Sequence, residues 1–451
     1  MLNLFSRKIV YPAFWKFRRL RVGEKIPDYI QKQWIPRDQL LERQWAALKR
    51  LLSHAYENVP YYSRKMKEAG CHPEDIKSMD DFAGLPFLTK DDIINNQQDL
   101  IGRNYRKRHL TEDSTGGSTG KKIIFYEDRN ELAHRFASAV RCDCWADLNP
   151  GDRFVQIWGS PLDLGKGHTL RRHLDRLFLR RLFISSFDMA EETLERCLEQ
   201  IKKFRPKVLI GYPTPLHRFA LFLKERRSGP LGIKSIISSA ETLFDHQRED
   251  IETHIGAPVF NRYGCREFGP IAAECEEHRG LHIQSDRLLV ELVPTENEED
   301  GLHEIVVTDL YKYAMPFIRY RIGDLAVRFG KECPCGRGLP LLERIEGRTF
   351  DMVICSNGNM ISGTFWTLLF RSIPGIRMFR VHQVRKERIK ITLEVDDEFN
   401  PGGLKILAAR IHEKSGHGMK IDFDLVSRIL PGESGKHRFV VSDVARDYFS
   451  L

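Results

Sequence analysis

From residue 130 to residue 264 helical and strand signals take turns, and that alternation constrains the fold more than any other feature of the chain. Residues 130–147 read as helix, "RFVQIWGS" (153–160) as strand, 190–203 as helix and "KVLIGYP" (207–213) as strand. The series continues with a helix over 214–227, the strand "SIISSA" (235–240), a helix over 245–255 and the strand "PVFNRYG" (258–264). Strands joined through helices run parallel, because the helix carries the chain back to the starting edge of the sheet. The expectation is an α/β fold with a largely parallel sheet between helices. Upstream, Leu40, Leu41, Trp45, Leu48, Leu51, Leu52 and Ala55 recur at helical spacing and predict a helix from Asp38 to Val59, ended at the proline of "ENVPYY".

After Gly280 the texture changes to shorter strands, "LLVELVP", "HEIVVTDL" and "FIRYRIGDLAVRF", which predict a distorted antiparallel sheet or barrel-like portion. Past "EGRTFDMVI" the strand and helix signals repeat on a smaller scale, in "MFRVHQV", "RIKITLEV", a helix from about 403 to 415 and "IDFDLVS". A chain of 451 residues with 41% hydrophobic content has apolar surface for more than one core. The expected division is a large domain over 1–347 and a small C-terminal α+β domain over 351–451, joined near Gly347 to Phe350.

The net charge of +9 fits a nucleic acid, an anionic membrane surface or a highly charged substrate such as a nucleotide or coenzyme A, and does not choose among them. Nine irregularly spaced cysteines and no secretory leader argue against a disulfide framework and place the protein in the cytoplasm. Charge interrupts every apolar run within about ten residues, so no span is expected. The segment "FSRKIVYPAFWKFRRLRVGEKI" mixes aromatic and basic residues, a composition compatible with peripheral contact to an anionic bilayer. The reading adopted is that its aromatics pack on the main domain and its charges face water.

The stretch from Ser114 to Gly120 holds three glycines and four hydroxyl residues in seven positions, followed by Lys121 and Lys122. It is not the phosphate loop of nucleoside triphosphatases, because Gly116 to Gly120 is one residue short and Lys121 is followed by lysine instead of serine or threonine. Its chemistry still suits phosphate. Gly116, Gly117 and Gly120 let the backbone approach and turn its N–H groups inward, Ser114, Thr115, Ser118 and Thr119 add hydroxyl donors, and Lys121 adds charge.

Downstream, "SSAETL" (238–243), "NRYGCREFG" (261–269), "TDLYKYAMPFIRYRIGDLA" (308–326), "EGRTFDMVI" (346–354) and "ESGKHRFVVS" (433–442) follow in order. With the loop, they resemble the adenylate-forming superfamily, and within it the phenylacetate-CoA ligase-like proteins associated with capsule and polysaccharide biosynthesis. The resemblance implies that a carboxylate attacks the α-phosphate of ATP, pyrophosphate leaves, and a thiol, usually that of coenzyme A, takes the acyl group. It implies that residues Ser114 to Lys121 hold the β- and γ-phosphates, that Ala240 and Glu241 line the adenine pocket, and that Tyr263 packs on adenine beside Gly264. Glu267 would hold Mg²⁺, a hard oxygen ligand for a hard ion. Asp324 would take the ribose hydroxyls, Arg348 would reach ribose or phosphate, and Lys436 would enter the adenylation site. Two positions depart from the pattern. Arg266 stands where a threonine is usual, so that a guanidinium would supply the catalytic contact to the α-phosphate in place of a hydroxyl, and Phe350 stands at the expected hinge aspartate, with Asp351 beside it. The resemblance further implies a small domain that rotates between the two half-reactions.

A second constellation is separate from that chemistry. Cys275 with His278 or His282 in "ECEEHRGLHI", and Cys333 with Cys335 in "KECPCGRG", form two short ligand pairs about fifty residues apart, suited to a closed, structural Zn²⁺ site. His282 is preferred, because the strand "LHI" fixes its direction better than the turn that holds His278. The sequence therefore reads as an ATP-dependent acid–thiol ligase acting on a small carboxylic acid and coenzyme A. The alternative is a nucleotide-binding member repurposed for a polysaccharide pathway. A nucleic-acid partner rests on net charge alone and is not adopted, and the sequence carries no signal of oligomeric state.

Overall fold

A computed structural model describes residues 5–115, 122–158, 178–186, 191–295, 301–348, 352–355, 360–361, 363–430 and 437–445. The chain divides into two compact units, Met1–Ile322 with Arg328–Arg344, and Gly323–Val327 with Ile345–Leu451.

The first unit opens with helices, among them Arg37–Asn58, which buries Leu40, Leu48, Leu51, Leu52 and Ala55 as its spacing requires. A hairpin follows, β1 (Thr111–Ser114) and β2 (Ile124–Glu127). The main sheet then starts with β3 (Phe154–Trp158), β4 (Arg181–Ser185), β5 (Val208–Gly211), β6 (Ser235–Ser239) and β7 (Val259–Cys265). These five lie in the order β4-β3-β5-β6-β7, every neighbouring pair parallel. Helices Glu191–Phe204, Pro213–Glu225 and Asp245–Ile255 supply the crossovers. Their apolar faces bury Leu198, Leu216, Phe219 and Ile251 against Val155, Leu209, Ile236 and Val259, each worth about 1.5–3 kcal/mol of transfer free energy. The alternation read from the sequence is thus a parallel sheet. Its strand order reverses at β3, so the carboxyl ends of β3, β5, β6 and β7 open onto the kind of crevice where open α/β sheets place ligands.

The strands after Gly280 extend that sheet, and among the described residues no closed barrel is formed. β8 (Gly269–Ala273) adds antiparallel to β7, β9 (Leu281–Ile283) antiparallel to β8, and β13 (Leu341–Arg348) pairs antiparallel with β9. Beyond it lie β12 (Tyr320–Arg328), β11 (Leu302–Asp309) and β10 (Leu288–Pro294), giving eleven strands in all. Short amphipathic strands look alike in a barrel and in a sheet; the long-range pairing that inserts β9 between β8 and β13 decides between them.

The second unit has its own core. β14 (Val353–Ile354) pairs with β15 (Met360–Ile361), and β16 (Ile376–Arg385), β17 (Arg388–Val395), β18 (Lys420–Val426) and β19 (Val440–Ser442) form a sheet in the order β18-β17-β16-β19. Helices Gly363–Arg371 and Gly403–Ser415 bury Trp366, Phe370, Leu407 and Ile411 against Val381, Ile391 and Leu393. The buried Gln383 amide accepts from the Ile354 N–H at 2.9 Å and donates to the Ile354 carbonyl at 2.6 Å, which ties β14 to β16. Among the described residues of the whole chain, no helix is long and apolar enough to cross a membrane.

Candidate nucleotide site and a thiolate–imidazole cluster

The glycine-rich stretch grows from the β1–β2 hairpin. Ser114 faces Ile124 in register, and one step further the Thr115 N–H donates to the Ile123 carbonyl at 3.0 Å while Thr115 Oγ1 accepts from the Ile123 N–H at 3.1 Å. Ser114 and Thr115 therefore form the neck of the loop. Gly116, Gly117, Ser118, Thr119, Gly120 and Lys121 lie outside the described residues, as do Phe350, Asp351, Lys436 and the side chain of Arg348.

The motif "NRYGCREFG" folds as β7, a turn and the start of β8. Tyr263 is half-buried opposite Ala272, and the register shifts between Tyr263 and Gly264. At Gly264 a Cβ would stand 2.3 Å from the Gly269 carbonyl oxygen, so only glycine lets the turn close this tightly. Glu267 is buried in the turn, 3.4 Å from the Tyr320 hydroxyl. Ala240, at the carboxyl end of β6 next door, has φ +74°, an unusual backbone position for a residue with a side chain. Beside it a Glu241 carboxylate oxygen accepts from the Thr214 N–H at 3.3 Å, where the helix Pro213–Glu225 presents unsatisfied N–H groups. Asp324 stands on β12, buried.

Sequence reasoning missed the residue that fastens the hairpin to the β7–β8 turn. Asp113 Oδ1 accepts from Arg266 Nε at 2.8 Å and from the Ser114 N–H at 2.7 Å. Arg266, read from the sequence as a possible phosphate contact, thus places one guanidinium edge on the base of the loop. Arg135 completes the junction: it donates to the Arg266 carbonyl at 3.1 Å and pairs with Glu127 of β2 at 2.6 Å. Beneath this junction lies Lys312, fully buried, whose Nζ bonds Glu131 and stands 4.0 Å from Glu127, with the Phe125 and Phe317 rings each 5.0 Å away. Burial lowers the pKa of that amine, but the two carboxylates outweigh burial and hold it above its ordinary value. Lys312 lies within the motif at 308–326 but had no role read from it, residues 113, 127 and 135 stand outside the ordered motifs, and pairings across more than a hundred positions leave no periodicity by which to find them.

The second cluster forms as the sequence suggests. One ligand atom each from Cys275, His282, Cys333 and Cys335 lies within 4.8 Å of all the others. Cys275 Sγ and Cys333 Sγ are 3.7 Å apart, and Cys335 Sγ is 3.3 Å from His282 Nε2. The sulfur separation is far from a disulfide and close to the edge of about 3.8 Å that a tetrahedron with metal–sulfur bonds of about 2.3 Å requires. His282 sits on β9, in register with Ala273 and Leu341, so strands on both sides fix its direction. Its Nδ1 bonds the Leu339 carbonyl at 3.0 Å. A carbonyl only accepts, so Nδ1 carries the proton and Nε2 presents its lone pair to the thiols. Burial drives the imidazole pKa down to about 4, which keeps it neutral. Burial also raises the Cys275 and Cys333 thiols, whereas at Cys335 hydrogen bonds from Arg337 overcome burial and favour the thiolate. His278 instead bonds Glu274, at 3.1 Å. Four nitrogen and sulfur donors at these separations fit a closed Zn²⁺ site.

The fold is that of the adenylate-forming ligases. 2-Hydroxyisobutyryl-CoA ligase, solved in the postadenylation state with an acyl-AMP, overlays with a TM-score of 0.73 over 93% of each chain at 21% identity. Among curated proteins the chain is 29% identical to the phenylacetate-coenzyme A ligase of Thermus thermophilus over 378 residues, 81% of this chain and 83% of that one. It is 25% identical to Protein CapK of Staphylococcus aureus over 416 residues, 90% of each. Residues 353–443 match the family model for the CapK C-terminal domain. The chain is thus similar over most of its length to proteins named phenylacetate-coenzyme A ligase and CapK.

Proposed function

We propose that the protein activates a small carboxylic acid with ATP and passes the acyl group to coenzyme A. In the first step a carboxylate oxygen attacks the α-phosphorus, the bond to the bridging oxygen breaks, and pyrophosphate leaves. In the second the coenzyme A sulfur attacks the acyl carbon, losing its proton, and AMP departs. The observation that carries this reading is the junction of Asp113 with Arg266, which holds the neck of a hydroxyl- and glycine-rich loop against the turn bearing Tyr263, Gly264 and Glu267. In this reading the loop, Glu267 and Tyr263 would serve one nucleotide, with Ala240 and Glu241 at the neighbouring strand end. Glu267 is the ligand for Mg²⁺, which would neutralise charge between the phosphates. The names of the relatives support the same chemistry.

The test is pyrophosphate release across a panel of aryl and aliphatic acids, followed by thioester formation with coenzyme A. Release with none of them, while ATP still binds, would favour the second reading, a nucleotide-binding protein serving polysaccharide assembly. That reading is motivated by Arg266 and Phe350, which depart from the pattern of the ligases. Asp324→Ala is expected to weaken ATP binding about tenfold or more by calorimetry, since a buried bidentate acceptor for the ribose hydroxyls would be gone. Equal affinity in both proteins would remove Asp324 from the ribose.

The same proposal includes one structural Zn²⁺ on Cys275, His282, Cys333 and Cys335. Purified protein is expected to hold about one zinc per chain and to lose thermal stability with a chelator. Metal-free protein with an unchanged melting temperature and alkylatable Cys333 and Cys335 would rule the ion out.

A further inference from the structure

The segment from Phe5 to Gly23 divides its side chains in a way that packing does not explain. A π-helical turn, Ser6–Val10, runs directly into the α-helix Tyr11–Phe17. The wide turn fits its sequence, because Pro12 has no N–H to continue an α-helical ladder and the Tyr11 N–H reaches back five residues to the Ser6 carbonyl. One face of this rod is buried. Trp15 and Leu20 join Leu132, Ala133 and Ala137 of the helix Arg129–Trp145, with Tyr11 and Phe14 packed alongside. Ser6 and Arg7 lie so close to Gly151 that a Cβ there would stand 2.8 Å from the Arg7 nitrogen. The rod is seated on the unit through Tyr11, Phe14 and Trp15, as the sequence reading expected of its aromatics, whereas Phe5 and Phe17 do not pack there.

The opposite face is a different matter. Phe5, Ile9 and Phe17 are 56%, 54% and 83% exposed, and Pro12 and Ala13 between them are exposed as well. Steps of four along a helix that starts with one wide turn keep Phe5, Ile9, Ala13 and Phe17 in one line. Lys8 and Lys16 flank that line, exposed, and Arg18, Arg19 and Arg21 follow in the next turn. From Phe5 to Gly23 there are six cations and no carboxylate. An apolar ridge edged by cations is the pattern of a helix that lies in a bilayer interface, with its ridge among the acyl chains and its cations at anionic headgroups.

We propose that this face docks on an anionic lipid surface. A second copy of the chain is a poorer occupant, because a two-fold contact would set six cations against six. Nucleic acid would use the cations but leave the apolar ridge without a partner. One short helix gives weak, reversible attachment, so the docking is expected to depend on lipid charge and on salt.

The experiment is co-sedimentation of the full chain with vesicles of phosphatidylcholine alone and of phosphatidylcholine with phosphatidylglycerol, at about 50 mM and about 500 mM salt. Expected is at least tenfold stronger partitioning to the anionic vesicles at low salt, largely lost at high salt. Each basic residue near the surface contributes about fivefold, so Lys8→Ala with Lys16→Ala should cost about 25-fold. Ile9→Ser with Phe17→Ser should cost at least tenfold, whereas Phe17→Trp should retain binding. All these positions are exposed, so the variants are expected to keep the wild-type melting temperature. Equal binding to neutral and anionic vesicles, or binding that ignores the Ile9 and Phe17 changes, overturns the proposal. So does a dimer in light scattering that I9S/F17S dissociates while vesicles bind nothing, or tighter binding to single-stranded DNA than to anionic vesicles at equal salt.

Discussion

Lys436→Ala is expected to lower acid-dependent pyrophosphate release by roughly 10²–10³-fold, the usual cost of removing a group that stabilises charge developing in a transition state. The expectation rests on the place of "ESGKHRFVVS" as the last of the ordered motifs. Negative charge builds on the α-phosphate oxygens as the carboxylate attacks and pyrophosphate departs, and a lysine ammonium offsets it only during that step. Conversion of a supplied acyl-adenylate and coenzyme A to thioester should therefore stay within about threefold of wild type, because that step has no departing pyrophosphate to stabilise. Both half-reactions are to be measured on protein with an unchanged melting temperature. Equal loss in the two would show that Lys436 is not specific to adenylation.

Lys312→Ala should destabilise the first unit by about 3–5 kcal/mol, the cost of stranding buried carboxylates. Glu131 and Glu127 are each 1% exposed and have Lys312 between them, with the Phe125 and Phe317 rings alongside. The effect has a pH signature. Burial already holds the Glu131 carboxyl well above its ordinary range against the opposing pull of Lys312, and with the ammonium gone its folded-state pKa rises further above the unfolded value. Folded protein then binds more protons than unfolded protein, so the variant loses stability as pH increases through that raised pKa. Urea unfolding at pH 5 and at pH 8 should show a larger deficit at pH 8. Lys312→Met combined with Glu131→Gln should recover much of the loss, because no uncompensated charge remains at that pair. A pH-independent deficit would mean that lost packing of the lysine stem is the whole effect.

Much of the fold was legible because its signals are local. The helix read over 245–255 is observed as Asp245–Ile255, and the strand read over 235–240 as Ser235–Ser239. The strand Arg181–Ser185 escaped notice. It is the edge of the sheet, only Ile184 in it is fully buried, and an arginine-rich approach hides its apolar side. The strands after Gly280 were found, and of the two assemblies left open, an antiparallel sheet or a barrel-like portion, the sheet is observed; register and neighbour choice depend on pairings far apart in sequence. The site divides along the same line. Cys333 and Cys335 announce themselves two residues apart, and "LHI" points His282, so the four ligands could be named in advance. Asp113 and Arg266 are 153 positions apart and meet only because the hairpin and the β7–β8 turn fold together.

That separation matters in time as well as in space for the sulfur–nitrogen cluster. Cys275 follows β8, His282 lies on β9, and Cys333 and Cys335 precede β13, so the donors converge only when β9 has been inserted between its two partners. A metal ion cannot nucleate this part of the chain as it does in a short finger, where neighbouring ligands gather before anything else is built. For the ion proposed here the order of assembly would run the other way: with the sheet completed and the imidazole turned by the Leu339 carbonyl, the ion would arrive at a finished receptacle. Shortage of metal during synthesis would then leave a population of folded chains awaiting their ion rather than a population that never folds.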